Sequence, residues 1–124
     1  MMQRILQIGI ILSVAIASAA LANPGEIKLK MHSANQLKQW GAAINEYREQ
    51  NGGKHPPSLE ALKPLVTNYD QLIENPLTGD NPGYELVAKP TGRNPVWMYQ
   101  LRQGKRDDSL DVLFADGTVR PLKD

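Results

Sequence analysis

Asp111-Val-Leu-Phe-Ala-Asp116-Gly117-Thr-Val-Arg120 sets two β-rich runs on either side of an Asp-Gly pair. That pair suits a tight two-residue hairpin turn, so the stretch reads as two antiparallel strands with Asp116 and Gly117 as structural turn residues. In this register Phe114 faces Val119 and Leu113 sits opposite Arg120. Burial of one face fixes the pairing, because a one-residue slip would turn Phe114 toward solvent. Upstream, Val96-Trp-Met-Tyr-Gln-Leu101 reads as another strand. Tyr84-Glu-Leu-Val-Ala88 reads as a further one, with Tyr84, Leu86 and Ala88 on one face and Glu85 and Val87 on the other. Pro90 to Pro95 makes a turn between them, and Gln103 to Ser109 is a charged loop.

A small antiparallel sheet needs a cover for its apolar face, and the sequence before it supplies one. From about Glu26 to Gln50, Ala34, Leu37, Trp40, Gly41, Ile44 and Tyr47 recur at helical spacing, while Lys30, Gln36, Lys38, Gln39, Glu46 and Glu49 fall largely outside that stripe. Gly41 costs a helix interior about 1 kcal/mol relative to alanine, so close approach of another backbone is the expected compensation. Asn51-Gly52-Gly53 ends the helix. Ser58 caps a short helix over Leu59 to Lys63, which Pro64 interrupts. Residues 67–83 are mostly loop, with Ile73 and Leu77 pinning it to the body. The fold class is therefore α+β: a long N-terminal amphipathic helix packed on a small C-terminal antiparallel sheet.

The first 22 residues have a different character. Arg4 precedes the apolar run Ile8 to Ala17, and Ala20-Leu21-Ala22 places small residues where a signal peptidase inspects them. The expected organisation is a signal peptide over 1–22 and a globular domain over 23–124. Ile5 to Ala22 is short for a retained anchor, and Gln7, Ser13 and Ser18 weaken it further. Cleavage after Ala22 would release a periplasmic or secreted domain with no membrane contact; without cleavage the chain stays membrane-anchored. The chain of 124 residues carries 14 Lys and Arg against 13 Asp and Glu, and Arg4 is the one charge in the leader. A formally neutral domain gives no case for a nucleic-acid partner. The absence of cysteine excludes a disulfide framework, a thiol nucleophile and a cysteine zinc site.

The order of these segments resembles the globular part of type II secretion pseudopilins, and most closely their relatives with a C-terminal Asp-Gly motif. The resemblance rests on Ser33 to Tyr47, Asn51-Gly-Gly-Lys-His-Pro-Pro57, Leu59-Glu-Ala-Leu62, Asn75-Pro-Leu-Thr-Gly79 before Tyr84-Glu-Leu-Val87, and Val112 to Val119. It implies a pilin-like head and a role in assembly or secretion. The chain departs from that pattern in three places. Gly9 is followed by Ile10, and Val14 stands where a prepilin-type leader has glutamate. Asn23-Pro24-Gly25 breaks the continuity of a pilin shaft. Arg106 occupies the position of the relatives' motif histidine.

Chemistry-bearing groups are sparse. His32 and His55 are the only histidines, and sequence spacing offers no candidate pair of nucleophile and base. No phosphate loop or His-Glu-x-x-His pattern occurs. Asp107, Asp108 and Asp111 are weak calcium candidates, since calcium takes clustered oxygen ligands; the default is a solvated loop and no cofactor. Trp97 and Tyr99 alternate along one strand and share a face. With Arg106 they are the candidate interaction residues. The expected function is that of an exported, non-catalytic structural or interaction protein whose partners are envelope or secretion-assembly proteins. The alternative is a small periplasmic protein that binds a ligand or calcium.

Overall fold

The computed structural model describes residues 23–123. The signal peptide expected over 1–22 lies outside them. Helix α1 spans Pro24–Gln50. It begins two residues before the expected start, because Asn23-Pro24-Gly25 initiates the helix and does not break it. Asn23 Oδ1 accepts the Gly25 and Glu26 backbone N–H groups at 2.9 and 3.2 Å, and Pro24 takes the first turn, where no N–H is needed. At the other end the Asn51 and Gly53 N–H groups both reach the Arg48 carbonyl, and Gly52 and Gly53 take φ of +66° and +85°.

A 3₁₀ segment over Glu60–Leu65 follows, with the Ala61 N–H donating to Ser58 Oγ at 3.3 Å. Pro64 lies inside it, so the segment runs further than its expected end at Lys63. Helix α2, Tyr69–Leu72, is one turn within the stretch expected to be loop. The strands are β1 Tyr84–Leu86, β2 Val96–Arg102, β3 Lys105–Arg106, β4 Asp111–Phe114 and β5 Val119–Pro121. All pairings are antiparallel, in the order β1-β2-β4-β5, with β3 paired to β2. The architecture is α+β, with the long helix laid on the small sheet.

The terminal hairpin differs from expectation by one residue. Leu113 pairs with Val119 and Val112 with Arg120. Gly117 alone takes a positive φ, +88°, while its N–H donates to the Phe114 carbonyl and the Phe114 N–H donates to the Thr118 carbonyl. The loop is therefore Ala115-Asp116-Gly117, a three-residue connection with glycine in the left-handed position. Side chains select it. Asp116 Oδ1 accepts both the backbone N–H and the hydroxyl of Thr118, and Asn94 bonds to the Asp116 carboxylate and N–H. Asp116 and Gly117 are thus turn residues, as expected, in a different turn.

The core gathers Leu37, Trp40 and Ile44 from α1 with Leu62, Leu72, Tyr84, Met98 and Leu113, each at most 1% exposed. Gly41 faces Leu113: a Cβ there would lie 3.3 Å from Leu113 Cδ1, so the close approach is by a side chain and not by another backbone. Ser33, Gln36 and Ala43 are also buried on this side of α1. Gln36, expected outside the stripe, is turned inward because its amide is satisfied there. Gln36 Oε1 accepts the Tyr84 hydroxyl, and Gln36 Nε2 donates to the Gln71 carbonyl at 3.4 Å. In the loop before β1, Leu72 and Asn75 are the fully buried anchors, while Ile73 and Leu77 are half-buried.

Candidate interaction surface

The register of β2 shifts between Val96 and Met98. A bulge of this kind interrupts the strict alternation of side chains, and the adjacent residues Trp97 and Met98 both enter the core. Trp97 therefore does not share a surface with Tyr99, contrary to the alternation read from the sequence. Trp97 is 5% exposed and contacts the end of α1: the Arg48 guanidinium lies 5.4 Å and the His55 ring 5.3 Å from its ring centroid.

Tyr99 stays on the sheet face turned away from α1, together with its cross-strand partner Glu85. Arg106 joins them. The segment expected to be a charged loop folds back through Gln103 and Gly104, with φ of +54° and +77°, and places Arg106 in β3 opposite Leu101. Asp80 supports that turn, accepting the Gln103 and Gly104 N–H groups at 3.0 and 2.8 Å. The Arg106 guanidinium stacks 4.0 Å from the Tyr99 ring centroid and makes two parallel bonds of 3.1 Å to the Glu85 carboxylate. A planar fork held at once by a ring and a carboxylate has a fixed orientation, and nearly half of the side chain remains exposed. On the same outer face Arg120 stacks 3.8 Å from the Phe114 ring centroid. The outer face is thus capped by guanidinium groups and is not an apolar patch.

The aspartates expected as calcium candidates are dispersed in function. Asp107 accepts from Arg102 Nε at 2.9 Å and from the Ser109 N–H and hydroxyl. The Ser109 and Arg102 bonds hold its carboxyl below the usual carboxylate range. Asp108 is exposed and Asp111 belongs to β4. Among the described residues no three His, Asp or Glu side chains come together as metal ligands.

His32 is exposed on α1. His55 is the half-buried titratable group. Its Nδ1 lies 3.4 Å from Arg48 Nη1, and its Nε2 is buried with no partner in ordinary hydrogen-bond geometry among the described residues. Burial pushes the imidazole below its ordinary value; the Val87 backbone pulls the other way, and the neighbouring Arg48 charge adds to the depression. The folded protein thus disfavours a proton that the unfolded chain accepts near pH 6.5. The His55 contribution to stability is present in full above that pH and is lost as pH falls below it. Urea midpoints measured from about pH 7.5 down to about 5 should decline more steeply for the wild type than for His55→Leu.

A second surface feature is an open groove of about 600 Å³ between the 3₁₀ segment and β1, lined by Pro57, Leu59, Tyr69, Ile73, Tyr84 and Leu86 among others. Glu60 and Glu85 stand at its margin. No described helix is long and apolar enough to cross a membrane. No protein-family model, curated protein or solved structure matches the chain.

Proposed function

We propose that this chain is an exported, non-catalytic structural or interaction module. It acts beside a type II secretion or pilus-like assembly and binds an envelope or secretion-assembly protein through the sheet face around Tyr99, Glu85 and Arg106. The observation that carries the reading is the geometry of Arg106: ring-stacked, paired to a carboxylate, and half open to solvent. An isolated surface ion pair contributes little to stability, whereas a fixed arginine beside an aromatic ring is typical of residues that dominate protein interfaces. The leader-like residues 1–22 and the pseudopilin resemblance support export and the class of partner. The tagged chain, recovered after export, should retain an envelope or secretion component from envelope extracts. Arg106→Glu should retain at least about tenfold less, a loss of about 1.4 kcal/mol. Recovery of no such component above control, or equal recovery by both proteins, would remove this reading.

The groove favours a second reading, a small ligand-binding protein. Its volume lies within the range of roughly 300–1,000 Å³ usual for small-molecule sites. An apolar ligand seated there would raise the melting temperature with the logarithm of its concentration once that exceeds the dissociation constant.

A further inference from the structure

β1 is an outer strand of the sheet, and it borders the open groove beside the 3₁₀ segment. In an antiparallel pair, successive residues of a strand turn their N–H and C=O groups to opposite edges. The Val87 N–H donates to the Trp97 carbonyl, and the Gly83 carbonyl accepts from the Leu101 N–H, so residues 83, 85 and 87 face β2. Tyr84 and Leu86 therefore direct their backbone groups away from β2. Tyr84 is sealed, at 1% exposure, but Leu86 is half-buried and lines the groove. The Leu86 N–H and C=O have no hydrogen-bond partner among the described residues. The opposite outer strand, β5, ends in Pro121, whose nitrogen has no hydrogen to donate, and proline is one of the ways an edge is closed to pairing. β1 contains no proline.

The walls of the groove are apolar, with Leu59, Tyr69 and Ile73 lining it together with Leu86. Its margin is acidic. Glu60 and Glu85 line it, and among the described residues no lysine, arginine or histidine does. Glu85 is held by Arg106, whereas Glu60 joins no salt bridge among the described residues. Burial, and then the Glu60 and Asp70 carboxylates, push the Tyr69 hydroxyl above its ordinary range, so the negative field reaches the groove wall. Lys63 lies 5.5 Å from the Tyr69 ring centroid and is not part of the lining. An apolar small molecule would satisfy the walls alone. An extended backbone that carries apolar and basic side chains satisfies the walls, the margin and the strand edge together. We propose that the groove receives an extended segment of a partner protein: an apolar side chain enters between Leu59, Tyr69 and Ile73, a lysine or arginine meets Glu60, and the backbone pairs with the open edge at Leu86. Main-chain bonds give such an occupant affinity, and its alternate side chains give specificity. The contact uses the edge of the sheet and not its outer face, so it does not depend on Arg106.

Fluorescence anisotropy of a short labelled peptide of alternating valine and lysine, titrated with the purified chain, tests this. The chain should bind it at least about tenfold more tightly than the matching peptide of valine and glutamate. Glu60→Lys should remove most of that preference, and circular dichroism should be unchanged because Glu60 is exposed. N-methylating every second backbone nitrogen of the peptide tests the edge without altering the protein. The set that faces Leu86 should weaken binding at least about tenfold when methylated, and the other set should weaken it much less. Arg106→Glu should not weaken binding of the valine–lysine peptide, which separates this contact from the partner of the outer face. Lack of binding up to about 1 mM, equal binding of the lysine and glutamate peptides, or indifference to Glu60→Lys or to methylation of either set would overturn the proposal. A groove that takes an apolar dye and not the peptide would be a small-molecule site, which overturns it as well.

Discussion

Trp40→Ala is expected to lower the unfolding free energy by about 3–5 kcal/mol, the range for removing a buried aromatic side chain. Trp40 is fully buried at the point where three chain segments meet. Its ring lies edge-on to Tyr69 at 5.9 Å and tilted against Tyr84 at 6.5 Å, and its Nε1–H donates to the Leu72 carbonyl at 3.2 Å. Truncation empties the space between α1, α2 and β1 and leaves the Leu72 carbonyl without this donor. Typical domains retain only about 5–15 kcal/mol in total, so the variant should unfold at a much lower urea concentration. Trp40→Phe separates the two effects: it keeps most of the volume and should lose chiefly the hydrogen bond, about 1 kcal/mol. A Trp40→Ala midpoint close to the wild type would mean that the helix is not held on the sheet by this residue.

Gly83→Ala is the second large effect, at about 3 kcal/mol, the upper end for overpacking. An added Cβ would lie 2.2 Å from Asn75 Cβ, 2.6 Å from the Asn75 nitrogen and 2.8 Å from the Asp80 carbonyl oxygen. Two of those three atoms are backbone and do not swing aside. The backbone of Gly83 is also fully engaged: its N–H donates to the Ile73 carbonyl at 2.6 Å, and its carbonyl accepts from the Leu101 N–H and from Asn75 Nδ2. Asn75 in turn ties the loop together, donating to Gln100 Oε1 and accepting the Leu77 and Thr78 N–H groups. Moving Gly83 therefore disturbs the loop and the first strand together. The melting temperature should fall by well over about 10 °C, given about 4–8 °C per kcal/mol at this size. A shift of only a few degrees would show that the loop yields.

Much of this frame is legible in the sequence, and what escapes it follows one rule. Periodicity finds the long helix, because apolar residues at three- and four-residue steps need no distant information. Alternation and Asp-Gly find β1, β2, β4 and β5 for the same reason, while β3, two charged residues, carries no alternation and reads as loop. The inward turn of Gln36 is hidden because its burial depends on Tyr84, 48 residues away. The hairpin register differs by one because Thr118 and Asn94 choose the loop, and an Asp-Gly pair serves both the two-residue and the three-residue turn. Trp97 and Tyr99 read as one face because a bulge has no signature in local alternation. Arg106 reads from the sequence as a charged-loop residue that is a candidate for interaction, and its ring and carboxylate partners are hidden because they come from two other strands. Asn23-Pro24 does carry a usable signal, since Asn followed by Pro is a helix start as readily as a break.

All of residues 23–32 are exposed, and the buried part of α1 begins at Ser33. This capped first stretch of helix is thus invested in reach and not in the core. At about 1.5 Å per residue it carries Asn23 about 15 Å along the helix axis from Ser33. A rigid standoff transmits orientation as well as distance, because each residue of a helix turns its successor by about 100°. Deleting one residue from this stretch would swing the body around the helical axis while shortening the reach only slightly.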